Sequence, residues 1–153
     1  MPKRWSKLRK RVKAIVDPKL SLDIHCVLYR HYGFVGLEVI PRYFVTLNKE
    51  IIFDWPKDFP WKEFENKPAP LRETRYDTAA SDISNTIAAY LNADMPTRQV
   101  MTDPWGIVEI LRAADKRTGR RQWKKLFHQS GKAARKIITA RWVEQRKKLL
   151  PKN

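Results

Sequence analysis

Apolar residues change their spacing twice along this chain, and that change limits the folds open to it. Between residues 4 and 16, Trp5, Leu8, Val12, Ile15 and Val16 recur at helical intervals, with Lys7, Arg9, Lys10, Arg11 and Lys13 between them. This is the stripe of an amphipathic helix, whose apolar side needs a core to lie on. Pro18 ends it, because a proline pushes the preceding residue out of helical geometry. Over residues 22–31 the period falls to two: Ile24, Cys26 and Leu28 alternate with Asp23, His25, Val27 and Tyr29, as on a strand with one buried face. Phe44, Val45 and Leu47, then Ile51, Ile52 and Phe53, form two further strand segments around Asn48 and Lys49, a pair suited to a tight hairpin turn. With Gly33 and Gly36 marking the first connection, the three segments predict a small antiparallel meander.

Residues 54–70 hold Trp55, Pro56, Phe59, Pro60, Trp61, Phe64, Pro68 and Pro70. So much proline argues against regular structure and for a loop that lays its aromatics over the core, in preference to a base-stacking platform. Helical spacing then returns in Ile83, Ile87, Ala88, Tyr90 and Leu91, with Asp77 or Ser81 as the cap. Asp103 followed by Pro104 opens another helix, carrying Ile107, Val108, Ile110, Leu111 and Ala114. Beyond Gly119, Trp123, Leu126 and Phe127 mark a further segment. A last helix is expected over about 132–149, with Ala134, Ile137, Ile138 and Trp142 inward and Lys132, Arg135, Lys136, Arg141, Arg146, Lys147 and Lys148 over the rest. The whole reads as one α+β domain, 1–153: a basic helix (1–20), a β-meander (21–53), a Pro- and Trp-rich loop (54–76) and a helical part (77–153).

Charge is the second constraint. The 153 residues carry 32 Lys and Arg against 16 Asp and Glu, a net of +16. Residues 1–20 have eight basic and one acidic side chain, residues 21–111 nine and thirteen, and residues 112–153 fifteen and two. The middle is therefore slightly acidic and the two ends hold all the excess. Like charges gathered this way repel in the folded state, so the pattern points to a polyanionic partner that neutralises them. Solubility does not require such segregation. No apolar run approaches the about 18 residues that span a bilayer, and no apolar stretch follows the basic N-terminus as in a secretory signal. Cys26 stands alone, which excludes an internal disulfide and a cysteine-built metal site and suits a reducing cytoplasm.

Two stretches carry a resemblance. Trp5-Ser6-Lys7-Leu8-Arg9-Lys10-Arg11-Val12 and Asp115-Lys116-Arg117-Thr118-Gly119-Arg120-Arg121 resemble segments of a family of small uncharacterised bacterial proteins, which open with Trp-Ser-Lys-Leu-Lys and carry Asp-Arg-Arg-x-Gly-Lys-Arg after an apolar helix. The hairpin Val45-Thr46-Leu47-Asn48-Lys49-Glu50-Ile51 is similar to that family's strand pair. The likeness is loose over about half the chain and departs in the Pro- and Trp-rich stretch and the basic C-terminal helix. It implies a shared design and brings no activity with it.

The basic ends supply the candidate site. Lys7, Arg9, Lys10, Arg11 and Lys13 on the first helix, Lys116, Arg117, Arg120, Arg121, Lys124 and Lys125 around Gly119, and Lys132, Arg135, Lys136 and Arg146 on the last helix are the expected phosphate contacts. Gly119 is expected to let backbone N–H groups approach an anion, with Asp115 orienting a guanidinium. Zinc-finger spacing, the aromatic RNP motif and a KH clamp are absent. Aromatics in the middle and charge at the ends favour reading of shape and backbone, RNA or DNA, over stacking on single strands.

Catalysis has less support. His25 and His31 fall on one face of the first strand with Tyr29, an arrangement that acid–base cleavage of RNA needs but that surface polarity also explains. Asp54 with Asp58 and Glu63 with Glu65 pair acids in the Pro-rich stretch, without the geometry of a Mg²⁺ site. Cys26 falls on the buried face, and no phosphate-cradling glycine loop occurs. Neither a cofactor nor a metal is expected, and no residue stands out as catalytic. The leading expectation is a nucleic-acid-binding protein, within a ribonucleoprotein or alone. The alternatives are a module or inhibitor that occupies the acidic groove of a nucleic-acid-processing complex, served by Trp55-Pro56 and Pro60-Trp61, and a small metal-independent RNase. A membrane surface ranks last, since the first helix's apolar face matches a core.

Overall fold

A computed structural model describes residues 5–33, 36–55 and 82–150. Among these, helix α1 (Trp5–Ile15) leads into a sheet of three antiparallel strands, β1 (Leu22–Gly33), β2 (Gly36–Leu47) and β3 (Glu50–Trp55), in the order β1-β2-β3. Five helices follow among the described residues: α2 (Asp82–Asn92), α3 (Met95–Val100), α4 (Ile107–Ala114), α5 (Arg120–Gln129) and α6 (Lys132–Leu149). This is the α+β order expected from the change in apolar spacing.

The sheet follows the alternation. On its inner face Leu22, Ile24, Cys26 and Leu28 stand opposite Leu47, Val45, Tyr43 and Pro41. Asn48 and Lys49 both take positive φ, 52° and 69°, which a two-residue turn needs to match the twist of its strands. A register shift between Val45 and Thr46 interrupts the β2–β3 ladder, and such a bulge increases local twist.

Helix α1 buries Trp5, Leu8 and Val12. Its Trp5 ring meets Tyr43 edge-on at 5.6 Å, and the Tyr43 hydroxyl hydrogen-bonds Ser84 Oγ at 2.8 Å. One apolar cluster runs from Trp5 through the sheet to Ile137 and Ile138. Buried apolar area of this kind is the main favourable term in folding.

Three expectations change. Helix α3 is an addition to the expected elements, although Asp94 and Pro96 provide the same start signal as Asp103 and Pro104: the Asp94 carboxylate accepts from Thr97 N at 2.9 Å. Arg141, expected on the surface, is buried, because carbonyls and an acid from distant segments surround it. Trp142, expected inward, is only partly buried. Asp54 and Trp55 belong to β3, while Asp77, Ser81 and residues 56–76 lie outside the described residues.

Candidate nucleic-acid interface

A buried knot fixes the backbone of the Asp115–Arg121 segment. Asp115 is fully buried. Its Oδ2 accepts from Arg98 Nη1 and from the Tyr90 hydroxyl, both at 3.1 Å, and its Oδ1 accepts from Arg117 N at 3.0 Å and, weakly, from Arg117 Nε at 3.4 Å. An ionised carboxylate is tolerated in such a place only when paired and hydrogen-bonded. Burial, reinforced by the Asp115 charge, pushes the Tyr90 hydroxyl pKa up, so it stays a proton donor. Thr118 is buried too, and its carbonyl accepts from Trp123 Nε1 at 3.0 Å. Asp115 therefore orients Arg117, as expected, but Arg98 and Tyr90 hold it more directly.

Arginines seal the helix ends around this knot. A helix leaves its last carbonyls without partners and carries partial negative charge there. Arg98 donates to the carbonyls of Tyr90, Leu91 and Ala93 at the end of α2. Arg112 donates to those of Arg98 and Met101 at the end of α3. Arg141 donates to those of Ala113 and Asp115 at the end of α4, at 2.8 and 3.1 Å, lies over the Trp123 ring at 4.4 Å and faces Asp17 at 3.4 Å. Burial pulls the pKa of Arg112 and Arg141 down. A share of the basic excess is thus internal scaffolding.

The basic side chains of α5 and α6, apart from Arg141, face outward. On α5, Arg120, Arg121, Lys124, Lys125 and His128 are exposed while Trp123 and Leu126 are buried, so one stripe runs along the helix. On α6, Lys132, Arg135, Lys136, Lys147, Lys148 and Arg146 are exposed. Arg135 also donates to the Phe127 carbonyl at 3.0 Å. Lys116 and Arg117 complete the set beside the knot, where Lys116 N donates to the carbonyl of Ile15 at 2.8 Å. That bond, with Val16 bridged to Asp115, ties the end of α1 to this segment. Lys19, which the sequence did not single out, sits beside Lys148, and that neighbour lowers its pKa.

The α1 candidates divide. Arg9 and Lys13 both bind Asp23, Arg9 through two hydrogen bonds and Lys13 at 3.3 Å. Arg11 donates to Asn92 Oδ1 at 2.7 Å, and Lys7 and Lys10 are exposed or nearly so. Helix α1 packs on α2 and β1, whereas α5 packs on α6 and α4. The link between α1 and α6 runs through the turn after α1, by Asp17 and Arg141.

Gly119 is the residue before α5, with φ −72° and ψ 158°, a conformation open to any residue, and a Cβ there would meet open space. At Gly131 the N–H donates to Glu109 Oε1 at 3.1 Å, and a Cβ there would lie 2.9 Å from that oxygen, so the Glu109 carboxylate would have to shift.

Between the start of α5 and the end of α6 lies a cavity of about 270 Å³ lined by Arg120, Trp142, Gln145, Arg146 and Leu149. Aromatic surface and basic charge thus meet in the C-terminal helices, which the linear separation of the two argues against. Sequence spacing sorts Trp142 with Ile138 as core; the basic residues flanking it are the available signal.

His25 is stacked on Phe44 at 4.6 Å and hydrogen-bonds Thr46 Oγ1 at 3.0 Å, and burial lowers its pKa. The side chain of His31 lies outside the described residues, as do Asp58, Glu63 and Glu65, while Asp54 pairs with Arg42 through two hydrogen bonds. Among the described residues no cluster of three His, Cys, Asp or Glu is placed to hold a metal, and no helix is long and apolar enough to cross a membrane.

No curated protein and no solved structure matches the chain. A family model does, over residues 4–142, a span that takes in the Trp5–Val12 and Asp115–Arg121 segments, the Pro- and Trp-rich stretch between them and the first half of α6. The chain belongs to the SF0329 protein family.

Proposed function

We propose that the protein binds nucleic acid through its phosphate backbone, using the exposed basic faces of α5 and α6 with Lys116 and Arg117 beside them. One observation carries this reading. Of the Lys and Arg side chains between residues 116 and 148, only Arg141 is buried, and the single carboxylate in that span, Glu144, is taken by Lys147 at 2.8 Å. Such a surface needs counter-charge from outside, and closely spaced phosphates supply it while releasing their condensed counterions. The Asp115 knot supports the same reading: it holds Arg117 and the start of α5 on a rigid backbone, so fewer motions must be ordered on binding.

Fluorescence anisotropy of the full chain against duplex DNA, structured RNA and single strands, across a salt series, tests it. Replacing Arg120, Arg121, Lys124 and Lys125 together with Ala is expected to weaken binding to every sequence. The slope of log K against log salt should flatten by roughly 0.7 to 0.9 for each phosphate that is no longer neutralised. An unchanged affinity and slope would remove α5 from the interface. Binding that vanishes near physiological salt and ignores ligand class would point instead to the acidic groove of a protein.

A further inference from the structure

The cavity between α5 and α6 has features that neutralising phosphates alone does not need. Its two cations, Arg120 and Arg146, make no ion pair among the described residues, and Glu144, the nearby acid on α6, faces Lys147. Its floor is the ring of Trp142, set at 5.4 Å and 43° from Phe127, so the ring's plane is fixed by packing. Gln145 also lines the space, and its side-chain oxygen, which solvent does not reach, has no hydrogen-bond partner. Leu149, mostly exposed, forms an apolar wall at the mouth. At about 270 Å³ the space sits at the lower edge of small-ligand sites and is far too small for a duplex.

We infer that this cavity seats one unstacked nucleotide, its base on the Trp142 ring and its phosphate between Arg120 and Arg146. The inference rests on the nucleic-acid reading above and adds to it a preference for single strands or unpaired ends. Each part of the ligand has a matching group. Every base offers a flat face to an aromatic ring, whatever its sequence. Every base also carries hydrogen-bonding groups on its pairing edge, and the Gln145 amide would have to turn toward the space to meet them. The phosphate takes the two guanidinium groups, whose planar forks suit its oxygens. A protein partner would have to bring an acid and an aromatic or amide into one small space, whereas a nucleotide carries all of these groups in one unit.

The test uses the full chain and two labelled ligands of about 12 nucleotides per strand, a mixed-sequence single strand and the matching duplex. Trp142→Leu keeps an apolar side chain and removes the ring. It is expected to lower single-strand affinity roughly tenfold or more while leaving duplex affinity within about twofold. Trp142→Phe, which restores a ring, should recover most of that affinity, and this variant guards against a merely structural effect of Leu on the α5–α6 packing. Arg120→Ala with Arg146→Ala should cost the single strand more than Lys132→Ala with Lys136→Ala, which removes the same charge from the other end of α6. Equal weakening on both ligands in Trp142→Leu, or none on either, would overturn the inference while leaving the nucleic-acid reading in place. Failure of the unaltered chain to bind either ligand at about 0.1 M salt would sink both.

Discussion

Asp115 shows how one side chain decides what its neighbours can do. It accepts from Arg98, Tyr90 and Arg117 at a site without solvent, so the charge of Arg98, itself buried, is balanced there and nowhere else among the described residues. Asp115→Asn keeps the shape and removes the charge, leaving Arg98 uncompensated. Chemical denaturation should report a loss of about 3 to 5 kcal/mol, far more than the about 1 kcal/mol expected for Tyr90→Phe, which deletes one hydrogen bond. Asp23 gives the matching case near the surface. Burial works against its charged form, but the hydrogen bonds from Arg9 and Lys13 outweigh burial and hold its pKa at about 2, below the ordinary 3.8. The folded state therefore gains from Asp23 at pH values above about 4, and that gain is lost as the pH falls toward 2. Asp23→Asn should remove about 1 to 2 kcal/mol at neutral pH, after allowance for solvent screening, and make acid unfolding shallower in that window. Sequence placed Asp115 beside Lys116 and Arg117 and Asp23 on an alternating strand; it did not say that Asp115 would be buried, because burial depends on what packs above.

At the scale of elements, the helical part is joined by polar caps as much as by apolar faces. The Asp103 carboxylate accepts from the backbone N–H groups of Trp105, Ile107 and Val108 at the start of α4, as the Asp-Pro pair indicates. Glu109 reaches from α4 to the backbone of Gly131 before α6. The glycines before α5 and α6 give opposite expectations. Gly131→Ala would push the Glu109 carboxylate away and forfeit its hydrogen bond, at a cost of about 1 kcal/mol. Gly119→Ser meets open space and an ordinary φ, and it adds a hydroxyl able to cap α5, so thermal unfolding should show a gain of up to about 1 kcal/mol. The start signals for α4 were legible in sequence, and α3 carries the same kind of signal on a stretch too short for apolar periodicity to support it. The arginine seals on α2, α3 and α4 were not legible, since each sets an arginine of another helix against the helix end, which apolar spacing within one element does not show.

For the whole molecule, the charge on α5 and α6 opposes the compactness that the shared core provides. Salt of up to a few tenths molar shortens the reach of that repulsion below about 10 Å, so the midpoint of thermal unfolding is expected to rise with added monovalent salt. A midpoint that falls instead would mean that the surface ion pairs on Asp23 and Asp54 outweigh the repulsion on α5 and α6. Sequence alone determined the succession of helix, antiparallel meander and helices, the turn at Asn48 and Lys49, and the concentration of positive charge at the two ends. It could do so because apolar spacing and turn chemistry act over a few residues and net charge is a sum. Only the tertiary structure decided which cations remain free. Arg98, Arg112 and Arg141 went to carbonyls and acids from other segments, Arg9 and Lys13 went to Asp23, and the rest of the C-terminal set stayed exposed, with Arg120 and Arg146 beside Trp142. Two arginines on one helix are the same letter in a sequence, and what separates them is the set of oxygens that folding brings within about 3 Å.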